Sequence, residues 1–262
     1  MTALRLGAVS YLNTKPLVYG LDAHPDQFDV RFDVPSKCAA LLHEGKVDLG
    51  LIPAIEYLRG DYRIVPDISI ASDGDVATVA VFTRKPIRQV TSIALDLSSK
   101  TSVALTRVLC AKHWRIEPTL TPAEPDLEKM LDRADAALVI GDPAFDIDPA
   151  ERKVNKIDLG AEWKAMTGLP FVYAMWVGRP GAATPADCLA LQQARDNGVA
   201  HLREIAREVS DGDPDVERRS LNYLRDNLKY SLGARDAAGL RRFHELAAEI
   251  GLVPALVPLQ FY

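Results

Sequence analysis

The chain has 262 residues, of which 48% are hydrophobic and 26% are charged, and its formal net charge is −5. This composition is typical of a globular protein with a sizeable core, and the length suffices for one large domain or two modest ones. The acidic balance, without a basic stripe that carries interleaved aromatic residues, argues against nucleic acid as the main partner.

The first predicted strand runs from Leu4 to Val9 and leads into the polar stretch Ser10–Thr14, after which Pro16 opens a helix. In open α/β sheets, ligands bind at the carboxyl ends of the strands. Asn13 can donate and accept hydrogen bonds, and the free N–H groups of a following helix favour an anion. The stretch therefore predicts a cleft that binds a small molecule bearing carboxylate groups.

A β-α-β unit follows. Residues 29–34 alternate as a half-buried strand, Ser36 is a suitable N-cap for a short helix, and Gly45 fits the position that ends it. Residues 47–52 form an apolar run that predicts a buried parallel strand, and this run ends at Pro53. The crossover between the two strands must be right-handed.

Further strands are predicted at 63–69, 76–83, 92–95, 136–140, 156–159 and 171–177, and a helix is predicted at 102–113. A polar turn lies at 96–101, and two crossovers are predicted at 84–89 and 178–181. The remaining chain carries only helical stripes, one of them capped by Asp213. These elements predict two α/β lobes around a central cleft, with a helical C-terminal tail. We expect residues 1–84 and 178–262 in lobe 1 and residues 85–177 in lobe 2.

Three polar turns lie between a strand and a helix, namely Ser10–Thr14, Pro35-Ser36 and Ser98–Ser102. Each either aims N–H groups and a hydroxyl at a carboxylate or only caps its helix. Two such turns on opposite sides of a cleft would bind a dicarboxylate. Asp142 follows a buried strand and either faces the cleft or acts as a cap, and Phe171 is the best candidate for a wall against a ring.

The sequence lacks the motifs of common cofactor sites. The histidines fall in predicted helices or in one loop, and no H-E-x-x-H, G-x-S-x-G, P-loop or G-x-G-x-x-G pattern is present. We therefore expect no metal and no organic cofactor. Three well-separated cysteines without a C-x-x-C pair indicate a reducing compartment. With no apparent signal peptide and no apolar run of about 18 residues, the expected location is the cytoplasm, without a membrane partner.

Several ordered motifs then resemble a known family, the chorismate dehydratases of the futalosine route to menaquinone. The matching stretches are SYLNTKPL at 10–17, GKVDLGLIPAIEY at 45–57, LDLSSKTSVAL at 95–105, LVIGDPA at 138–144, and DLG, Trp163 and TGLPF within 158–171. The resemblance covers nearly the whole chain. One departure is Lys100, where the family's Ser-Arg-Thr-Ser turn has arginine; lysine keeps the charge but loses the bidentate geometry.

The resemblance implies a type II periplasmic-binding-protein-like fold that works as an enzyme. The reaction would remove water from chorismate and give 3-[(1-carboxyvinyl)oxy]benzoate without metal or cofactor, and the substrate's enolpyruvyl carboxylate would take the ring proton. The implied catalytic residues are Asn13 and Ser99. The implied substrate-binding residues are Ser10, Tyr11, Thr14, Ser36, Pro53, Ser98, Thr101, Ser102, Gly141, Asp142 and Phe171.

Three other functions are alternatives to this one. A solute-binding protein for an anionic metabolite would have the same fold, but it requires a secretion signal. The related 1,4-dihydroxy-6-naphthoate synthase would be expected to carry a histidine in a cleft loop, and this sequence has no clear one. A ligand-sensing domain of a transcription factor would follow a helix-turn-helix segment.

Overall fold

The computed structural model describes residues 3–262, so Met1 and Thr2 of the predicted first lobe lie outside the described residues. The strands are β1 (Leu4–Val9), β2 (Phe28–Asp33), β3 (Leu49–Pro53), β4 (Arg63–Ile64), β5 (Ile70–Ser72), β6 (Val79–Thr83), β7 (Ser92–Asp96), β8 (Thr119–Ala123), β9 (Ala136–Ile140), β10 (Asn155–Asp158) and β11 (Phe171–Gly178).

The helices pack around these strands. The α-helices are α1 (Pro35–His43), α2 (Lys100–Leu109), α3 (Leu127–Leu131), α4 (Gly141–Phe145), α5 (Leu159–Thr167), α6 (Pro185–Ala200), α7 (Leu202–Val209), α8 (Pro214–Asn222) and α9 (Ala234–Glu249). Shorter 3₁₀ segments cover Leu12–Val18, Leu21–Ala23, Ala54–Arg59 and Ile87–Gln89, and π-helical segments cover Cys110–Trp114 and Tyr223–Asn227.

The strands form two sheets. The first has the order β2-β1-β3-β11-β4, with β5 also paired to β11, and the second has the order β10-β6-β9-β7-β8. In the first sheet, β1 is parallel to β2 and β3, whereas β11 is antiparallel to β3. In the second, β7 is parallel to β8 and β9, and β6 is antiparallel to β9. The parallel strands of each sheet end in the loops that carry the polar turns.

The chain passes between the two sheets at residues other than the predicted lobe boundaries at 84 and 178. β6 pairs with β9 and β10 in the second sheet, and β11 pairs with β3 in the first. The crossovers between the sheets therefore lie at 73–78 and 159–170, and the turns at 84–89 and 178–181 are not crossovers. We propose a first lobe of residues 3–72 and 171–262, and a second lobe of residues 79–158.

Most predicted elements are confirmed. The strands at 4–9 and 136–140 have the predicted bounds, and Asp213 caps α8 by accepting from the backbone N–H groups of Asp215 and Val216. The prediction that Ser36 is an N-cap is wrong, because α1 begins at Pro35 and its N-cap is Val34, which makes no side-chain cap. β8, an edge strand that contains a proline, was not predicted.

The main core extends across both sheets and includes large side chains such as Trp163, Trp176, Tyr57 and Phe243, all buried. A second, smaller cluster around Phe82 and Met130 fills the other face of the second sheet. Between residues 3 and 262, no helix has the length and apolar character needed to cross a membrane.

Candidate active site

A cleft lies where the polar turns of the two lobes meet, and its cavity volume is about 40 Å³. Hydroxyl and amide groups from both lobes face this space. The polar lining residues are Tyr11, Asn13, Thr78, Ser99, Ser102 and Tyr173. The apolar lining residues are Val9, Pro35, Pro53, Ile70, Val76, Val79, Ile140, Gly141 and Ala174.

One wall of the cleft is the amino end of α2. Ser99 is its N-cap, and the side-chain oxygen accepts from the Ser102 backbone N–H (3.4 Å) and from the Ser102 hydroxyl (3.1 Å). Both serines are buried. Because a helix amino terminus carries partial positive charge and free N–H donors, this wall suits a carboxylate without any cationic side chain.

The opposite wall carries Asn13, in the 3₁₀ segment that follows β1. Its Oδ1 accepts from the Thr14 hydroxyl (3.4 Å). Behind it, the buried Tyr223 hydroxyl lies 2.9 Å from Thr78 Oγ1. Burial raises the pKa of Tyr223, while hydrogen bonds from Thr78 and Asn13 partly offset that rise. Tyr223 therefore stays protonated, and its hydroxyl contacts the cleft-lining Thr78.

The cleft is electrically neutral. Within the described chain, no Asp, Glu, His, Lys, Arg or Cys side chain lines it. Burial raises the pKa of Tyr11 and raises that of Tyr173 well above its ordinary value, so both phenols keep their protons. The Tyr173 hydroxyl also lies 3.1 Å from Ser72 Oγ. The site therefore offers hydrogen bonds and helix N–H groups rather than formal charge.

Comparison with known proteins identifies the family. The model of a family described as menaquinone biosynthesis matches residues 4–249. The chain belongs to this menaquinone biosynthesis family. It is similar to the chorismate dehydratase of Thermus thermophilus, with 31% identity over 97% of this chain and 98% of that protein. The chorismate dehydratase of Campylobacter jejuni is 30% identical over 64% of each chain.

Solved structures give the fold of this menaquinone biosynthesis family member. Protein AF1704 from Archaeoglobus fulgidus superposes with a TM-score of 0.72 at 16% identity, covering 96% of this chain and 98% of that one. A Candida albicans protein described as having the generic periplasmic binding protein fold superposes with a TM-score of 0.68 at 11% identity, covering 98% of this chain and 92% of that one. The alkanesulfonate-binding protein SsuA from Xanthomonas axonopodis pv. citri superposes with a TM-score of 0.67 at 16% identity, covering 97% of this chain and 95% of that one. The predicted periplasmic-binding-protein-like fold is confirmed.

The structure of the family member brings together some of the predicted site residues and not others. Those that line the cleft are Tyr11, Asn13, Pro53, Ser99, Ser102 and Gly141. Ser10 is exposed and lines an adjoining surface groove that shares Val9 and Tyr11 with the cleft, and Thr14 is buried beside Asn13. Phe171 is not a cleft wall, because its ring packs in the core against Trp163 and Phe243.

Four other predicted residues form hydrogen bonds between the lobes. The Ser36 backbone N–H donates to the Ser98 carbonyl oxygen (2.9 Å). The Leu12 backbone N–H donates to the Asp142 carboxylate (3.2 Å to Oδ1), so Asp142 caps the segment that carries Asn13. Burial raises the pKa of Asp142, and this N–H partly offsets the rise. Thr101 Oγ1 accepts from the Ile55 backbone N–H (3.1 Å).

Close contact between the lobes also involves Tyr11 and Gly141. The Tyr11 hydroxyl lies 3.4 Å from Ser98 Oγ, and its ring packs on Gly141, where a Cβ atom would lie 2.7 Å from Tyr11 Cε2. Gly141 also has φ of +65°, which favours glycine. The glycine therefore allows the tyrosine of one lobe to lie flat on the other.

Sequence reasoning missed Thr78, Tyr173 and Tyr223. Thr78 precedes β6, Tyr173 lies within β11, and Tyr223 begins a π-helical segment of the tail. None belongs to a recognisable turn motif between a strand and a helix. The sequence therefore carried no signal for them. The π-helical segment that begins at Tyr223 is a feature frequent at functional sites, but it cannot be read from sequence.

Proposed function

We propose that the protein is a chorismate dehydratase that converts chorismate into 3-[(1-carboxyvinyl)oxy]benzoate and water. A ring C–H bond and the ring C–OH bond break, the hydroxyl leaves as water, and the ring becomes aromatic, so no oxidant or reductant is needed. We place this reaction in the futalosine route to menaquinone and in the cytoplasm.

The observation that carries this proposal is the similarity, over nearly the full length of both chains, to a protein named chorismate dehydratase. The neutral cleft supports it. Aromatisation provides much of the driving force, so the protein has mainly to orient the substrate and to stabilise developing charge. Hydroxyl, amide and helix N–H donors are suited to both tasks.

Each carboxylate of the substrate has a proposed partner. The amino end of α2, with Ser99 and Ser102, binds one of them. The amino end of α1 binds the other, and the Ser36 N–H that now donates to the Ser98 carbonyl is then free for the ligand. Opening and closing of the lobes would exchange one set of hydrogen bonds for the other.

The base that removes the ring proton is the substrate's own enolpyruvyl carboxylate. The uncharged lining of the described cleft supports this assignment, as do the raised pKa values of Tyr11 and Tyr173. Asn13 hydrogen-bonds the substrate beside the reacting carbons. Ser99 orients this carboxylate, which accepts the ring proton and passes it to the departing hydroxyl, so that the hydroxyl leaves as water.

The test is to incubate purified protein with chorismate, without added metal or cofactor, and to follow the products by mass spectrometry. The expected product is lighter than chorismate by one water and forms far faster than in a heat-denatured sample. A protein that leaves chorismate unchanged contradicts the proposal. If chorismate then raises its melting temperature, the protein is a binder of this metabolite instead.

A further inference from the structure

A buried carboxylate outside the cleft has two cationic neighbours and a histidine beside it. Glu56 is 3% exposed, and its Oε2 lies 2.8 Å from His43 Nε2, 3.0 Å from Arg59 Nη1 and 3.5 Å from Lys100 Nζ. The other ring nitrogen of His43 lies 2.6 Å from the Tyr62 hydroxyl. A buried charge is costly unless it is paired, so this cluster is a built feature rather than an accidental surface contact.

The partners of Glu56 come from different parts of the fold. Glu56 follows β3 and His43 ends α1, both in the first lobe, whereas Lys100 is the first residue of α2 in the second lobe. The neighbouring residues make a parallel contact, because the Ile55 backbone N–H donates to Thr101 Oγ1 (3.1 Å). Two consecutive residues of one lobe therefore hold two consecutive residues of the other.

This junction is one residue from the proposed substrate-binding groups. Ser99 and Ser102 line the cleft immediately before and after Lys100 and Thr101, but Lys100 itself does not line it. Lys100 thus has a partner within the protein. Any displacement of the first turn of α2 away from Glu56 would also move the hydroxyls and N–H groups that face the substrate.

We propose that Glu56 and Lys100, together with the Ile55–Thr101 hydrogen bond, form an interlobe clasp that positions the amino end of α2 for substrate. Glu56 and Lys100 are positioning residues that act through Ser99 and Ser102. The inference rests on the proposed function for its kinetic consequence, although the clasp itself is independent of the reaction.

Lys100 is the better residue for a first test. Its side chain is 46% exposed, and Glu56 keeps His43 and Arg59 when the lysine is removed, so the fold should persist. We expect Lys100→Met to raise KM for chorismate about fivefold, because a smaller population of closed protein lowers the apparent affinity. The turnover number should change less than twofold. Lys100→Arg, which restores the charge, should restore KM.

Glu56→Gln separates the clasp from simple attraction of an anionic substrate to a lysine. If Lys100 acts through Glu56, Glu56→Gln raises KM in the same direction as Lys100→Met, and the double variant is little worse than either single variant. If Lys100 only attracts the substrate, removing the nearby negative charge lowers KM. Opposite effects of the two variants overturn the proposal.

The matched control is Lys85→Met. The Lys85 side chain is 51% exposed and pairs with Asp135, but both residues belong to the second lobe. Its KM should equal that of the wild type. If Lys85→Met raises KM as much as Lys100→Met, the effect reflects net charge and the clasp is contradicted.

A measurement without substrate keeps the two proposals distinguishable. Hydrogen exchange of the peptide that contains the Ile55 amide should be faster in Lys100→Met and Glu56→Gln than in the wild type, and unchanged in Lys85→Met. Unchanged exchange in both clasp variants overturns the clasp, even where wild-type protein turns over chorismate. Faster exchange in a protein without turnover keeps the clasp and contradicts the proposed function.

Discussion

The first turn of α2 has two faces with opposite chemistry. Ser99 and Ser102, three residues apart and hence on one side of the helix, line the cleft with neutral hydroxyls. Lys100 and Thr101, between them, contact the other lobe through an ion pair and a hydrogen bond. The difference teaches that formal charge is kept on the face that joins the lobes, while the face that meets substrate uses neutral donors.

The largest effect is expected on the neutral side. Asn13→Ala should lower the turnover number at least about a hundredfold, the usual loss when one donor to a developing anion is removed. The melting temperature should change little. Asn155→Ala removes an exposed amide from β10 and serves as the control, with wild-type turnover expected. A folded Asn13→Ala protein with wild-type turnover would show that the neutral face does not carry the chemistry.

Acid should act on the fold beside the clasp. His244 is buried, its Nε2 lies 3.1 Å from the Ala54 carbonyl oxygen, and burial lowers its pKa to about 4. Between about pH 6.5 and 4 the unfolded chain binds a proton that the folded chain does not, so the free energy of unfolding falls as pH falls. The loss of unfolding free energy that is due to His244 approaches about 3 kcal/mol over this pH range.

Urea unfolding of wild type and His244→Gln at pH 7 and pH 4 measures that contribution. The variant should start less stable at pH 7 but lose less stability on acidification. Equal losses in the two proteins would mean that His244 does not drive the acid sensitivity and that the paired carboxylates do.

The contact between Tyr11 and Gly141 tests closure from the cleft side. Gly141→Ala places a Cβ against the Tyr11 ring in addition to straining a residue at φ +65°. We expect a stability loss of roughly 1–2 kcal/mol from the backbone and a several-fold rise in KM from impaired closure. Gly20→Ala has φ +76° with no atom within 4 Å of the added Cβ, so it should lose stability without a change in KM. Equal KM values in the two variants would contradict the closure argument.

The smallest effect on stability is expected at Ser99, the N-cap of α2. Ser99→Ala should lower the free energy of unfolding by about 1 kcal/mol, as is usual for an N-cap, and should also lower kcat/KM. Thr184→Ala removes the N-cap of α6, outside the cleft, and should have a similar stability cost with unchanged kcat/KM. If both variants keep wild-type kcat/KM, Ser99 is only a cap.

The sequence predicted the part of the site that depends on local order. Asn13 and Ser99 could be identified because each follows a strand and precedes a helix, and the start of that helix faces the cleft in this fold. Thr78 and Tyr173 could not be identified, because they reach the cleft by tertiary packing from segments without a motif, and neither could Tyr223, which packs behind Thr78. The tail helices were evident from their periodicity, but the contribution of Tyr223 to the cleft was not.

The lobe boundaries show a second limit. The strong alternation at 76–83 correctly predicts a strand, yet the pattern of a strand does not say which sheet it joins. The sequence therefore predicts the crossover at the polar turn 84–89, although the chain already enters the second sheet at β6. Ser36 illustrates the same limit at one residue, since a serine suited to capping lies one position inside the helix behind a proline.

The position of β11 has a consequence for synthesis of the chain. All strands of the second sheet lie within residues 79–158, a single continuous stretch, whereas β11 lies between β3 and β4 in the first sheet. On the ribosome, the second sheet is complete before β11 has been made, and β3 and β4 stay separated until it arrives. The lobe that begins the chain is therefore the last to finish folding, and the Asn13 wall of the cleft reaches its final form only late in synthesis.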